Sequence, residues 1–143
     1  MTGDPMLTLA LTRDERAAAA IEGGLADFNA ARFRPGDAAT LDILVRDDNS
    51  GEPLGGLLGH TSFGLFFLDL VYLPGLLRGH GLGSRIVALA EDEARRRGCT
   101  AACVYTVSFQ APEFYERHGY SRFGEIACPP DGATRMFLTK SLA

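Results

Sequence analysis

A chain of 143 residues with 46% hydrophobic and 22% charged residues is typical of one globular domain, and we expect a single domain over residues 1–143. The formal net charge of −4 disfavours nucleic-acid binding and favours a cationic or amine substrate. No apolar run approaches the ~20 residues of a membrane span, and the first residues do not read as a secretory signal. We therefore expect a cytoplasmic protein that binds no membrane. Three cysteines, an odd number without ligand spacing, predict free thiols and no metal.

The first third of the chain is predicted from alternating and helical apolar patterns. Residues 6–11 read as a strand, followed by a capping box in which Thr12 is the N-cap and Glu15 reaches back to it. The helix should run to about Phe33, and Gly23-Gly24 should weaken or break it midway. A strand over residues 41–46, a turn at 47–51 and a strand over 53–60 follow.

The remainder alternates strands and helices, which indicates an α/β fold. Residues 65–73 are apolar on both faces except at Asp69, and we predict a central strand there. A helix from Leu82 should end at Gly98, after three arginines that suit a helix C-terminus. The remaining predicted elements are a strand over 100–107 parallel to 65–73, a short helix from about Pro112 to Gly119, and a closing hairpin of residues 120–126 and 134–142.

Residues 78–84 form a glycine-rich loop between a predicted strand and a predicted helix. Without Cβ atoms, successive N–H groups can point into one concavity, and the first turn of the helix adds its own unpaired N–H groups. Arg78 and Ser84 add a charge and a hydroxyl, so the loop suits a phosphate, although it could also serve only as a turn. A P-loop would need a lysine between Gly83 and Ser84, and a dinucleotide-binding fingerprint would need a third glycine that the loop lacks. Both of these phosphate-binding motifs are therefore disfavoured.

Two segments carry a family resemblance. Arg78, Gly81 and Gly83 fill the pattern Gln/Arg-x-x-Gly-x-Gly/Ala, and Phe114-Tyr115 precedes a Gly119-Tyr120 pair at the start of a strand. Both resemble the GNAT superfamily of acetyl-CoA-dependent N-acetyltransferases. The resemblance implies a mixed, mostly antiparallel sheet of about seven strands flanked by helices, with a splayed parallel strand pair. It also implies a reaction in which the primary amine of a small molecule or a protein attacks acetyl-CoA directly. A homodimer is compatible with the resemblance.

The same resemblance implies that acetyl-CoA is a co-substrate, the acetyl donor, and indicates which residues bind it. The glycine loop would hold the pyrophosphate, and backbone groups before it would pair with the pantetheine arm. Ser108 stands where many members carry an asparagine that contacts coenzyme A, and Gln110 is nearby. The implied donor-binding residues are Val71, Tyr72, Leu73, Arg78, Gly79, His80, Gly81, Leu82, Gly83, Ser84, Ser108 and Gln110.

Two residues are predicted to take part in the chemistry. Tyr115 stands where the family's general-acid tyrosine stands and would protonate the departing thiolate, although it could instead only pack against the sheet. Asp69 is the first candidate for the base that deprotonates the amine, and a buried aspartate that only accepts hydrogen bonds is equally compatible. His60 is the second candidate, and His118 is expected to be structural.

Two other classes of function share these features. A non-catalytic acyl-CoA-binding regulatory module would have the same loop, with Tyr115 or Asp69 unproductive. A nucleotide-binding regulatory domain would use the loop for a different phosphate. A rate measurement on Tyr115 variants separates the enzyme from the module, and competition between coenzyme A and ATP separates both from the nucleotide-binding domain.

Overall fold

The computed structural model describes residues 3–32, 38–130 and 132–143. The chain divides into two compact units, residues 1–35 and residues 36–143. In the first unit the described residues form one helix, α1 (Glu15–Ala30), which is continuous through Gly23-Gly24 and contains no buried residue. Its apolar side chains at Ile21, Leu25 and Phe28 are exposed and share one helical face.

Two predictions for this first unit were wrong. Residues 6–11 are not a strand, because alternating apolar residues form a strand only where a neighbour supplies hydrogen bonds. The N-cap of α1 is Asp14, not Thr12: its extended backbone and its carboxylate oxygen, 3.0 Å from the N–H of Ala17, complete the first turn. A carboxylate at the positive end of the helix is a stronger cap than a threonine hydroxyl. The predicted helix end at Phe33 lies outside the described residues.

The second unit contains a seven-stranded sheet. Its strands are β1 (Ala39–Thr40), β2 (Ile43–Arg46), β3 (Pro53–Ser62), β4 (Leu65–Tyr72), β5 (Ala101–Val107), β6 (Ser121–Cys128) and β7 (Ala133–Ser141). The order across the sheet is β1-β3-β4-β5-β7-β6, and β2 also pairs with β3. All pairs are antiparallel except β4 with β5. The predicted mixed sheet with a central β4 and a parallel pair is therefore confirmed.

Two irregularities shape the middle of the sheet. Leu58 of β3 lies opposite Leu70 of β4, whereas the next residue, Gly59, lies opposite Leu68. Asp69 is therefore the extra residue of a β-bulge, which turns its side chain out of the regular alternation. On the other side of β4, the parallel pairing with β5 ends at Leu68 and Val104. The second halves of these two strands are therefore not paired with each other.

Helices α2 (Leu82–Arg96) and α3 (Pro112–Arg117) complete the second unit, together with a 3₁₀ turn (Gly75–Leu77). α2 is amphipathic and buries Ile86, Val87 and Ala90 in the same apolar cluster as Phe66 and Leu68 of β4. This packing fixes the start of α2 beside the end of β4. None of the helices within the described residues has both the length and the hydropathy that a bilayer-spanning helix needs.

Candidate active site

The candidate site is the cleft that opens where β4 and β5 separate. It encloses about 670 Å³. Its walls come from the second half of β4, the glycine loop, the start of α2, the end of β5 and α3. The carboxyl ends of parallel strands are where an open α/β sheet accepts ligands, so the position of the cleft follows from the topology.

The glycine loop has the backbone conformation that an anion site needs. Gly79 and Gly81 have φ angles of 81° and 78°, in the left-handed region that other residues avoid. Gly81 is the N-cap of α2, no side chain caps that end, and the first turn carries no acidic residue. The first-turn N–H groups of an α-helix have no partner within the helix. The protein thus presents donors and a positive dipole end without its own anion, which fits a phosphate.

Arg78 stabilises the turn that leads into this loop. Its Nε donates a hydrogen bond of 2.7 Å to the carbonyl oxygen of Leu73, and its guanidinium lies 5.8 Å from the centroid of the Tyr72 ring. The guanidinium thus lies near both the Leu73 carbonyl oxygen and the Tyr72 ring, at the entry to the glycine loop.

α3 closes the other side of the cleft through contacts with the start of α2. A Cβ atom on Gly83 would lie 3.1 Å from the Phe114 ring, so a larger residue would require that ring to shift by a few tenths of an ångström. His118 joins the same elements: its Nε2 lies 2.8 Å from the Ser84 hydroxyl, and its Nδ1 lies 2.8 Å from the carbonyl oxygen of Phe114. A structural role was predicted for His118, but the bridge was not, because its partner Ser84 lies 34 residues earlier in the chain.

Tyr115 lies at the base of the cleft, with 7% of its surface exposed. Its ring packs edge-on against Phe114 and Tyr120 at centroid distances of 5.2 and 5.9 Å. Burial raises the pKa of Tyr115 to about 12. No hydrogen-bond partner for its hydroxyl occurs among the described residues, and the hydroxyl is not sealed from solvent. It is available to a ligand.

A buried polar network lies beside Tyr115. The Tyr120 hydroxyl donates to Glu91 over 2.7 Å, and the Lys140 ammonium donates to the other oxygen of Glu91 over 2.8 Å. Glu91 is only 4% exposed, so its charge needs both partners. Burial, followed by the Glu91 carboxylate, raises the pKa of Tyr120. This network anchors α2 to the end of the sheet.

Asp69 lines the cleft from the bulge of β4 and pairs with His60 of β3. The His60 Nδ1 lies 2.7 Å from the Asp69 Oδ2, and the side chains are 45% and 39% exposed. His60 also stacks on Phe67, with ring centroids 4.8 Å apart. The two alternative base candidates are thus partners, and Asp69 is not a buried acceptor for neighbouring loops.

Most of the predicted donor-binding residues line the cleft. They are Val71, Tyr72, Leu73, Arg78, Gly79, Gly81, Gly83, Ser84 and Gln110. The cleft lining does not include His80, Leu82 or Ser108.

Two of these side chains hold the end of β5. The Ser108 hydroxyl accepts a hydrogen bond from the Thr134 N–H, and the Gln110 side-chain oxygen Oε1 accepts one from the Val107 N–H. Within the described parts of the chain, no group of three His, Cys, Asp or Glu side chains is arranged to hold a metal ion.

Comparisons with known proteins agree with this geometry. The sequence model of the acetyltransferase (GNAT) family matches residues 9–120. "Acetyltransferase Atu2258" of Agrobacterium fabrum is 36% identical over 127 residues, which are 89% of this chain and 92% of that protein. "Blasticidin-S acetyltransferase" of Streptomyces morookaense is 44% identical over 93 residues, 64% of this chain and 68% of that one.

The fold is also shared with a solved structure. A crystal structure of a protein of Agrobacterium tumefaciens named as an acetyltransferase superposes with a TM-score of 0.88. That protein is 34% identical, and the match covers 96% of this chain and 99% of that chain. The family match, the relatives and the cleft agree, and the chain belongs to the acetyltransferase (GNAT) family, enzymes that transfer an acetyl group from acetyl-CoA to an amine.

Proposed function

We propose that the donor lies in the cleft between β4 and β5, with its pyrophosphate at the loop of residues 79–84. The single observation that carries this proposal is the uncapped, acid-free start of α2 at the end of the splayed strands. The free edge of β4, over Val71 and Tyr72, offers backbone groups to the amide-containing arm of coenzyme A.

Asp69 is proposed as the base that takes the proton of the acceptor amine. An amine with a pKa near 10 is cationic at neutral pH and must lose a proton before it attacks a carbonyl carbon. The bulge brings the Asp69 carboxylate into the cleft, and His60 holds one of its oxygens at 2.7 Å. The amine nitrogen then forms a bond to the acetyl carbon, and the carbon–sulfur bond breaks.

Tyr115 is proposed to stabilise the sulfur as this bond breaks. With a pKa of about 12 the hydroxyl remains protonated throughout the working range of pH. Because an ordinary thiol has a pKa of about 8.5, complete proton transfer from this phenol to the thiolate is unfavourable. The hydroxyl therefore acts as a hydrogen-bond donor to the developing anion, and the thiolate then takes up a proton from the solvent.

We propose that the acceptor is an amine of a small molecule. The support is the relative named for blasticidin S, together with the Asp69 carboxylate in the cleft lining, which would attract a cationic amine. The free cysteines Cys99, Cys103 and Cys128 fit a reducing compartment, and we place the enzyme in the cytoplasm.

A panel of amines, with blasticidin S as the first member, tests this function. The enzyme is incubated with acetyl-CoA, thiol release is followed with a thiol reagent, and the acetylated product is identified by mass spectrometry. We expect amine-dependent thiol release with at least one small-molecule amine. Tight binding of coenzyme A without release of thiol above the hydrolysis background for any amine would contradict the proposal and favour a non-catalytic binding module.

A further inference from the structure

We infer that His118 is a positioning residue for the donor's pyrophosphate, and that it takes up a proton as the donor binds. The inference rests on the proposed donor site and concerns one bridge, from Ser84 at the start of α2 to His118 at the end of α3. Both side chains line the cleft. In this inference His118 acts on the donor through its hydrogen bond with Ser84.

The hydrogen bonds of His118 define which ring nitrogen carries the proton. Nδ1 lies 2.8 Å from the Phe114 carbonyl oxygen, and a carbonyl can only accept. Nδ1 must therefore carry a hydrogen. In the neutral ring Nε2 is then a bare acceptor, and the Ser84 hydroxyl, 2.8 Å away, must donate to it.

This arrangement has a consequence for a phosphate at the start of α2. While Ser84 donates to His118, its oxygen presents only lone pairs to the rest of the cleft, and these repel an anion. When His118 is protonated, Nε2–H donates to the Ser84 oxygen instead. The serine hydrogen is then free to rotate towards a phosphate oxygen, and the imidazolium adds a positive charge to the site.

Within the part of the chain that the structure describes, the side chains around His118 do not supply a carboxylate contact that would favour its protonated form before a ligand binds. On α2, Arg85 follows Ser84, and the first turn has no acidic residue. On α3, Arg117 lines the cleft, and Glu116 is paired with Arg122 at 2.9 Å.

Neither ring nitrogen of His118 contacts a carboxylate among the described residues. The other titratable or charged side chains on α3 and in the cleft lining are Glu113, Tyr115, Asp69, Tyr72, Arg78 and Tyr105, and His80 belongs to the glycine loop outside that lining. A bound pyrophosphate is therefore the group that supplies negative charge beside Ser84.

Calorimetry with dephospho-coenzyme A tests this inference. This probe keeps the pyrophosphate and lacks the phosphate monoester, which itself titrates near pH 6. Binding enthalpies in two buffers of different ionisation enthalpy give the number of protons taken up. We expect net proton uptake near pH 7.5, and a Kd that rises roughly tenfold between pH 6 and pH 8.5, because the protonated ring is the form that binds.

Three variants assign that proton. His118→Gln can reach Ser84 with a permanent amide donor, so its Kd should be nearly independent of pH and its proton uptake close to zero. Ser84→Ala, at an exposed position, removes the hydroxyl and should lose most of the uptake. His60→Gln is the matched histidine control, because His60 pairs with Asp69 and not with Ser84, and it should keep the wild-type uptake.

Full proton uptake in His118→Gln or in Ser84→Ala would overturn the inference. Loss of the uptake in His80→Gln alone would overturn it too, because the proton would then belong to the loop histidine. A wild-type protein that binds no dephospho-coenzyme A at any pH would overturn the proposed donor site as well, so the two failures are distinguishable.

Discussion

The two sides of the cleft, which we propose bind the donor and the acceptor, are built in different ways. The donor side is a continuous stretch, residues 78–84, whose backbone conformation follows from its own glycines. The acceptor side is the pair of Asp69 and His60, which belong to different strands and meet only because of the bulge between Leu58 and Gly59. A local motif can be recognised in a sequence, whereas a cross-strand pair depends on a register that no single segment encodes.

If this division is correct, changes on the donor side should alter donor affinity, and changes on the acceptor side should alter the rate. Asp69→Asn should have the largest effect: kcat near pH 7 should fall by about 10³-fold, within the range for loss of a general base. Because the defect is deprotonation of the amine, the loss should shrink as the pH approaches the pKa of the acceptor. The KM for acetyl-CoA should not change.

Asp48→Asn, in the exposed turn before β3, is the matched control and should behave as the wild type. An equal loss of rate at every pH, or a large change in donor affinity, would show that Asp69 acts on the donor side instead.

Gly81→Val should affect the donor side alone. A branched residue at a φ of 78° forces the loop out of its conformation, and its Cβ points into open space that the donor would fill. We expect coenzyme A affinity, measured by calorimetry, to fall at least about a hundredfold, equivalent to the ~1–3 kcal/mol of strain together with lost phosphate contacts.

Gly51→Val is the control for backbone strain, since Gly51 has a φ of 75°, has no neighbour within 4 Å of a built Cβ, and lies in the β2–β3 hairpin. Equal affinities in the two variants would contradict the proposed role of the loop. Gly83→Val is less suitable, because its side chain would displace Phe114.

Tyr115→Phe separates chemistry from stability. Loss of one donor that stabilises a developing anion should lower kcat by about a hundredfold. Its hydroxyl has no hydrogen-bond partner in the described parts of the chain, so the free energy of unfolding should hardly change. Tyr120→Phe should do the opposite, because it removes the 2.7 Å bond to buried Glu91, and should cost about 1–3 kcal/mol of stability with little loss of rate. A loss of stability in Tyr115→Phe and a loss of rate in Tyr120→Phe, measured by urea unfolding and by kinetics, would contradict these two assignments.

The pKa values of the same two tyrosines predict how the free energy of unfolding depends on pH. Both have pKa values raised above the ordinary value of 10, that of Tyr115 to about 12. The folded state therefore holds these protons more tightly than the unfolded state does. The resulting stability is fully present below pH 10 and is lost as the pH rises above it. In alkaline melts Tyr120→Phe should show a smaller loss than the wild type, and an identical loss would contradict this assignment.

His60 should have the smallest effect, because it acts through Asp69. We expect His60→Ala to lower kcat by about tenfold, the equivalent of one charge-assisted hydrogen bond, with an unchanged KM for acetyl-CoA. His60→Gln keeps a donor and should recover part of the rate. A greater loss in His60→Ala than in Asp69→Asn would make His60 the base.

The sequence predicted those parts of the fold that local patterns determine. It correctly predicted that a glycine loop precedes α2 and that α2 ends near Gly98. It also correctly predicted that β4 and β5 are parallel. The strand over residues 6–11 was wrong because its alternation lacks a pairing neighbour.

In the site, the sequence identified Asp69 and His60 separately but could not pair them. The bridge from Ser84 to His118 was missed for the same reason, since both contacts depend on tertiary packing. Nothing in the local pattern around Asp69 predicts a bulge.

A crystal structure of the protein with coenzyme A tests the central claim most directly. The account predicts pyrophosphate oxygens within hydrogen-bond distance of the backbone N–H groups of residues 81–84, and the sulfur in the cleft within reach of the Tyr115 hydroxyl and the Asp69 carboxylate. Coenzyme A bound outside the β4–β5 cleft, or with its sulfur directed away from Tyr115, would contradict it.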